Sequence, residues 1–418
     1  MATAAASNRP VISFVLTSLR LAESAGAHHG GGVEQCTWRL ANHLVSQGYQ
    51  VDIVLFDDHG APRELPVNLR ILALPAQPLW RARLTALAAD RRLWGVLARP
   101  VLLARKPIHG LAHLAALRDY LCARRPAAVI SAIAYVNALT LLARALADLG
   151  MPVLVTERWH LSQRIAAGGR KWRWRHLPPL LARLYPQAEA VIAVSEGVAA
   201  DLRASLQLTD AQVQTIYNPV INAERLRLRE APLDHPWFAP GEPPVAVGVG
   251  RLERQKDFPT LLRAFARLRA KRPARLMILG EGKERAPLTA LARELGIADD
   301  VALPGFIANP LPYLREASLF VLSSIHEGLP ATLIEALFCG CPVVSTDCPS
   351  GPREILEDGR HGRLVPMQDP NALAAAMADA LQTPVDRAAL RRYGERFTVA
   401  RAAAQYLALA GLPATVAA

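Results

Sequence analysis

The chain has 418 residues, 48 Lys and Arg against 36 Asp and Glu for a formal net charge of +12, with 51% hydrophobic and 20% charged residues. That balance fits an ordinary folded chain and excludes a disordered tail, a collagen-like fibre or a secreted mini-protein, and its length points to two domains of about 200 residues each. Five cysteines, an odd number, make no disulfide framework, and no apolar stretch reaches the roughly 18 residues of a membrane-spanning helix. In chain order, short apolar runs alternate with amphipathic stretches, the pattern of parallel sheets covered by helices. Val11–Leu16 reads as a buried first strand rather than a signal peptide, since no basic run precedes it. Strands then follow at Val51–Phe56, Leu69–Leu74, Ala128–Ala132, Val153–Thr156 and Ala190–Val194, with helices at Glu34–Gln47, Leu111–Arg124 and Ala138–Leu149 between them. Residues 222–244 carry Pro232, Pro236, Pro240, Pro243 and Pro244 and read as a linker. Beyond it, strands are expected at Val245–Val249, Arg275–Leu279, Val301–Leu303, Leu319–Leu322, Pro342–Ser345 and Gly362–Val365. Helices are expected there at Pro259–Lys271, Glu284–Leu295, Leu311–Glu316, Thr332–Cys339 and Ala372–Leu381. The pattern predicts two doubly wound α/β domains, 1–221 and 245–385, with a cleft between their strand C-terminal edges, followed by terminal helices over 386–418.

The positive charge is uneven: residues 1–220 hold 24 Lys and Arg against 14 acids, residues 221–418 hold 24 against 22. Arg81, Arg83, Arg91, Arg92, Arg99, Arg105 and Lys106 face only Asp90, and Trp80, Leu87 and Trp94 lie among them. Arg158, Arg164, Arg170, Lys171, Arg173, Arg175 and Arg183 face no acid within 158–185 and are mixed with Trp159, Trp172, Trp174, Leu180 and Leu181. Cations interleaved with Trp and Leu suit an anionic membrane surface; a plain solvated basic face is the alternative. No helix-turn-helix, finger or aromatic signature supports nucleic acid as a partner. Cys339 and Cys341, spaced C-x-C, give no zinc site, and no metal ligand set stands out.

Three stretches have chemical content. His28-His29-Gly30-Gly31-Gly32-Val33-Glu34 joins a strand to a helix, where glycines admit a ligand to free N–H groups; it also reads as a flexible loop. Gly250-Arg251-Leu252-Glu253-Arg254-Gln255-Lys256 sets Arg251 and Lys256 at a strand's C-terminal edge. Two fixed cations there stabilise a leaving diphosphate without a metal; a surface loop is the bland reading. In Glu327-Gly328-Leu329-Pro330-Ala331-Thr332-Leu333-Ile334-Glu335, a turn opens a helix whose N–H groups meet phosphate or sugar oxygens, and Glu335 accepts from a ribose diol. A helix-dipole glutamate is the alternative.

Together with Leu279-Gly280-Glu281-Gly282, Pro304-Gly305-Phe306, Ile192-Ala193-Val194-Ser195 and Tyr217-Asn218-Pro219-Val220, these stretches resemble the retaining glycosyltransferases of family 4, which have the two-domain GT-B fold. Val321–Ser324 and Asp347–Glu354 look like members that build surface polysaccharides and lipid-linked oligosaccharides. The resemblance implies that Arg251 and Lys256 hold the diphosphate of a nucleotide sugar, Glu335 the ribose and Glu327 the sugar. Backbone N–H groups of Gly328, Leu329, Pro330 (which offers none), Ala331, Thr332 and Leu333 surround it, and the base lies on Phe306 and Ile307. Gly31 and Gly32 approach the phosphates. It further implies a UDP-sugar as co-substrate, an N-acetylhexosamine transferred with retention, no metal, a lipid-linked saccharide acceptor and a cytoplasmic, peripheral location at the inner membrane face. One departure stands out: where relatives carry a His after the fourth strand, this chain reads Ser131-Ala132-Ile133-Ala134-Tyr135-Val136-Asn137. Asn137 is the candidate replacement, with Glu157 and His160 as candidates on the acceptor side. The other two readings are an epimerase-like enzyme without transfer and a binding protein without turnover. The final helix is expected to return to the first domain, with Phe397 and Tyr406 as core contacts.

Overall fold

The computed structural model describes residues 9–19, 31–58, 62, 64–168 and 172–416. The chain divides into two compact units, Met1–Pro219 with Val399–Ala418, and Val220–Thr398. His28, His29 and Gly30 lie outside the described residues, as do Arg170 and Lys171 and the side chains of Trp172, Arg173 and Trp174.

The first unit is built on a seven-stranded sheet. Its strands are β1 (Val11–Leu16), β2 (Gln50–Leu55), β3 (Leu69–Ala73), β4 (Ala128–Ala132), β5 (Val153–Glu157), β6 (Ala190–Ala193) and β7 (Val213–Thr215), in the order β3-β2-β1-β4-β5-β6-β7. Every pairing is parallel. The near-continuous apolar runs follow from burial on both faces, and all six residues of β1 are buried. Helix Val399–Leu409 packs on helix Gly32–Ser46 and places Tyr406 in this unit's core.

The second unit has six parallel strands, β8 (Val245–Val249), β9 (Arg275–Leu279), β10 (Val301–Gly305), β11 (Leu319–Leu322), β12 (Val343–Thr346) and β13 (Arg363–Val365), ordered β10-β9-β8-β11-β12-β13. Each sheet reverses its winding once, between β1 and β4 in the first and between β8 and β11 in the second. Such switch points, at the strands' C-terminal ends, are where ligands of doubly wound sheets bind.

The domain limits differ from expectation. Residues 222–244 are no free linker. They form helix Ala223–Arg229, capped by Asn222 Oδ1 on the Arg225 N–H at 3.0 Å, and a 3-10 turn at Pro236–Phe238. Arg315 Nη1 donates to Arg229 O at 2.7 Å, Asn309 Nδ2 donates to Leu228 O at 2.8 Å, and Arg275 stacks on Trp237, so the prolines run over the second unit's surface. Helix Arg387–Gly394 also belongs to the second unit, packed on helix Ala331–Phe338, and Phe397 stays there beside Tyr393. Only the chain from Val399 onward joins the first unit.

The two basic segments also separate. Arg81, Arg91, Arg92, Arg99, Arg105 and Lys106 are exposed around the exposed Trp80, Leu84, Trp94 and Leu103. In the second segment Leu180 and Leu181 are fully buried, and Arg158 is 9% exposed with Nη1 donating to Asn218 Oδ1 at 2.6 Å. Leu180 and Leu181 are core residues, because the helix Trp172–Leu184 packs on the helix Ala134–Ala147, while Arg158 directly follows β5 and is held by Asn218.

Candidate active site

Parallel strands deliver their outgoing loops to one edge, and in the second unit those loops are laced together. Gly250 N–H donates to Leu279 O (3.0 Å), Leu252 N–H to Glu281 O (2.8 Å) and Gly280 N–H to Gly305 O (2.8 Å). Across the switch point, Ser323 Oγ donates to Lys256 O at 2.7 Å and Ile325 N–H to Gln255 O at 2.9 Å. From β12, Thr346 Oγ1 donates to Ser324 O at 2.6 Å, and Ser350 Oγ to Glu327 O at 2.8 Å.

The lacing brings Lys256 and Glu327 together. Lys256 Nζ donates to Glu327 Oε1 at 2.6 Å, the same oxygen accepts from Ser324 Oγ at 2.7 Å, and the two side chains are 15% and 8% exposed. The Lys256 stem lies against Gly250, where a Cβ would come within 2.9 Å of Cε. A half-buried ammonium and a buried carboxylate held this way offer a fixed positive charge and an oriented acceptor, both suited to a polar ligand. Arg251 is not drawn in. It is half exposed, with Nη1 donating to Glu253 Oε1 at 3.1 Å.

Helix Ala331–Phe338 starts after buried Gly328, Leu329 and Pro330, and no side chain caps it, so its first N–H groups stay available. Ala331 and Thr332 are half buried, and the Thr332 hydroxyl is buried without a partner. Leu333 is fully buried, so it offers only its backbone, and its N–H donates to Pro330 O at 3.1 Å. Glu335, one turn in, is 6% exposed and accepts from Arg225 Nη2. The motif reading missed Arg225, because its helix lies in the stretch taken for a linker. Phe306, 37% exposed, and the half-buried Ile307 follow β10 at the same strand edge.

In the first unit, Gly31 is the extended N-cap of helix Gly32–Ser46, and a Cβ on Gly32 would meet nothing within 4 Å. Asn137 lies inside, fully used. Its Nδ2 donates to Thr156 O (3.0 Å), Glu157 Oε1 (3.1 Å) and Tyr185 OH (3.1 Å), and its Oδ1 accepts from Ser131 (2.7 Å). It is a buried network residue, not an open polar contact. Glu157 is 4% exposed and also accepts from Tyr185 OH, so it is equally enclosed. His160 pairs through Nδ1 with Asp201 at 3.6 Å, while its Nε2 is buried without a partner.

The family description "Glycosyltransferase Family 4" matches residues 30–223, and "Glycosyl transferases group 1" matches residues 233–397. The chain belongs to the family 4 glycosyltransferases. It is 32% identical over 237 residues to the N-acetylgalactosamine-N,N'-diacetylbacillosaminyl-diphospho-undecaprenol 4-alpha-N-acetylgalactosaminyltransferase of Campylobacter jejuni, across 54% of this chain and 62% of that one. The chain thus spans less than two thirds of that relative. Among solved structures it resembles sucrose-phosphate synthase from Thermosynechococcus elongatus (TM-score 0.71, 21% identity, 96% of each chain). It also resembles Anabaena HepE in complex with UDP (TM-score 0.68, 19% identity, 96% and 100% of the two chains). Both likenesses identify the GT-B fold.

Within this glycosyltransferase, the buried Glu157 carries a pH signature. Burial pushes its carboxyl up to about 7, against hydrogen bonds from Tyr185 and Asn137 and the charge of Arg164, while Asp201 adds to the rise. The folded state therefore binds a proton that the unfolded chain releases near pH 4.5, so this group's contribution to stability falls as pH rises from about 4.5 to about 7. Glu157→Gln should remove that loss. Its stability relative to wild type should climb by about 3 kcal/mol across the window, read from unfolding midpoints between pH 5 and pH 8. A pH-independent difference would mean that the carboxyl does not titrate there.

Proposed function

We propose that this protein is a retaining glycosyltransferase. It moves an N-acetylhexosamine from a UDP-sugar to a lipid-linked or surface-polysaccharide acceptor, without a metal, at the cytoplasmic face of the membrane. The observation that carries the reading is the part-buried Lys256–Glu327 pair at the β8/β11 switch point, beside an uncapped helix N-terminus. The name of the Campylobacter relative supports the aminosugar and the diphospholipid acceptor, and the UDP held by HepE supports the nucleotide. In the reaction the acceptor oxygen bonds to the anomeric carbon from the face the diphosphate leaves. The sugar–phosphate bond breaks, the electron pair stays on the departing phosphate, and that phosphate takes the acceptor's proton. Lys256 and Arg251 stabilise the charge that develops on it, and Glu327 holds a sugar hydroxyl. His160 belongs to the first unit and is the acceptor-side candidate of this reading, since Glu157 is enclosed in the Asn137–Tyr185 network.

A thermal-shift titration with UDP, GDP and ADP and their sugar conjugates, with and without Mg²⁺, tests the donor. A ligand at about 100 times its Kd adds roughly 2.7 kcal/mol, which moves the midpoint by several degrees. The expected result is a shift with UDP-sugars that Mg²⁺ leaves unchanged; a shift that needs Mg²⁺ would overturn metal independence. No shift with any nucleotide would remove the donor assignment.

No helix among the described residues is long and apolar enough to cross a membrane. The proposed membrane contact is the patch of exposed Trp80, Leu84, Trp94 and Leu103 among six exposed cations. Trp80 and Leu84 lie four residues apart on one face of helix Leu79–Ala89, and the Arg81 guanidinium sits 5.1 Å from the Trp80 ring. Burying two such side chains contributes about 1.5–3 kcal/mol each, so Trp80→Ser with Leu84→Ser should cut binding to anionic vesicles at least about tenfold. Unchanged sedimentation with vesicles would take the membrane out of the proposal.

A further inference from the structure

The Glu335 carboxylate is the polar centre of a set of groups that its ion pair alone does not explain. Arg225 reaches it from helix Ala223–Arg229, a piece of chain outside the glutamate motif, and donates from Nη2 to Oε1. Four residues on, Arg229 clamps the end of the same partner helix. Its Nη1 donates to Phe338 O at 3.1 Å, and its guanidinium stacks 4.5 Å from the Phe338 ring. Helix Ala223–Arg229 is therefore fixed against helix Ala331–Phe338 at two of its three arginines, Arg225 and Arg229, and Arg225 is committed to Glu335.

Unused valences remain. Arg225 Nε is buried without a partner, and so is the hydroxyl of Thr332, which lies three residues before Glu335 on the same helix face. Glu335 Oε2 has no hydrogen-bond partner among the described residues. Each buried polar atom left unpaired costs about 1–3 kcal/mol. A structural ion pair needs none of them open, whereas a vicinal diol satisfies several at once, because each hydroxyl both donates and accepts.

We propose that Arg225 is a positioning residue of the donor site, holding Glu335 oriented so that Oε2, with the Thr332 hydroxyl, receives the ribose diol of the nucleotide. The inference rests on the donor reading above and adds a residue to it. Without the guanidinium, nothing among the described side chains holds the carboxylate in this orientation, and Oε2 is no longer fixed toward the diol. Arg225 thus acts on sugar recognition through Glu335, and its loss falls on the ribose rather than on the nucleotide as a whole.

The test compares UDP with 2′-deoxy-UDP by isothermal titration of the full chain. Wild type should prefer UDP at least about tenfold, the worth of one charge-assisted hydrogen bond. Glu335→Ala should bring the preference close to one. Arg225→Met, which keeps the stem's volume, should lower it below about threefold while 2′-deoxy-UDP binding stays near the wild-type value. Arg225→Lys, which restores a cation and protects the fold, should keep it above about fivefold. A full preference in Arg225→Met, or equal weakening of both ligands, overturns the role given to Arg225, as does a full preference in Glu335→Ala. Should Arg225→Met not fold, a preference in Arg225→Lys as low as in Glu335→Ala overturns it. Wild type that binds neither nucleotide overturns the donor reading itself.

Discussion

Lys256→Ala should lower turnover with a UDP-sugar about 100-fold while leaving much of the nucleotide affinity in place. Removing a fixed group that meets charge developing in the transition state costs about 10²- to 10³-fold in rate. Lys256 is held for such a role: its stem rests on Gly250, and its ammonium is fixed by Glu327 at 2.6 Å. The substitution also strands a nearly buried carboxylate that keeps only Ser324 as a donor. Breaking a buried pair from one side costs about 3–5 kcal/mol, so the variant should melt earlier as well. Pairing Lys256→Ala with Glu327→Gln separates the two effects. The double variant should recover most of the stability, because a neutral amide needs no counter-charge, and none of the activity. Recovered activity would mean that the lysine acts only as Glu327's partner.

Much of this site was legible because its chemistry is tied to strand ends. The apolar runs Val11–Leu16, Val245–Val249 and Leu319–Leu322 are buried on both faces, so hydrophobicity marks them directly, and the polar motif after each falls on a loop by necessity. The short edge strand Val213–Thr215 escaped notice, since three residues with one buried carry little pattern. Arg225 escaped for a different reason. The prolines at 232–244 obscure the helix before them, and nothing in local spacing tells that an arginine 110 residues from Glu335 will reach it. Asn137 and Glu157 looked like open polar groups because period alone does not separate a buried network from a ligand contact. The partner that closes their network, Tyr185, comes from a later segment. Ile133 was equally illegible. It caps helix Ala134–Ala147 at φ 81, a conformation costly for a β-branched side chain, and it is held there by the Thr156 carbonyl, accepting from its N–H at 3.1 Å, and by the Asn137 N–H, donating to its carbonyl at 2.9 Å.

Gly280→Ala should destabilise the second unit by more than about 3 kcal/mol and abolish nucleotide binding with it. At φ +154, a Cβ on Gly280 would lie 1.9 Å from the Gly250 carbonyl oxygen, a contact between two backbones with no flexible side chain to yield. Relief requires Gly250 to move, but its N–H is bonded to Leu279 O, and it is the surface against which Lys256 lies. A shift there travels directly to the Lys256–Glu327 pair. Overpacking of this kind, added to lost hydrogen bonds, belongs among the large single-site effects. Gly296 supplies the control. It too has a positive φ, +69, but a Cβ there meets nothing within 4 Å, so Gly296→Ala should cost only about 1 kcal/mol of backbone strain and leave nucleotide affinity unchanged. Equal losses in the two variants would show that backbone conformation, not the approach of Gly280 to Gly250, governs this loop. The expected gap between them measures how tightly the two glycine loops are pressed together to hold the lysine in place.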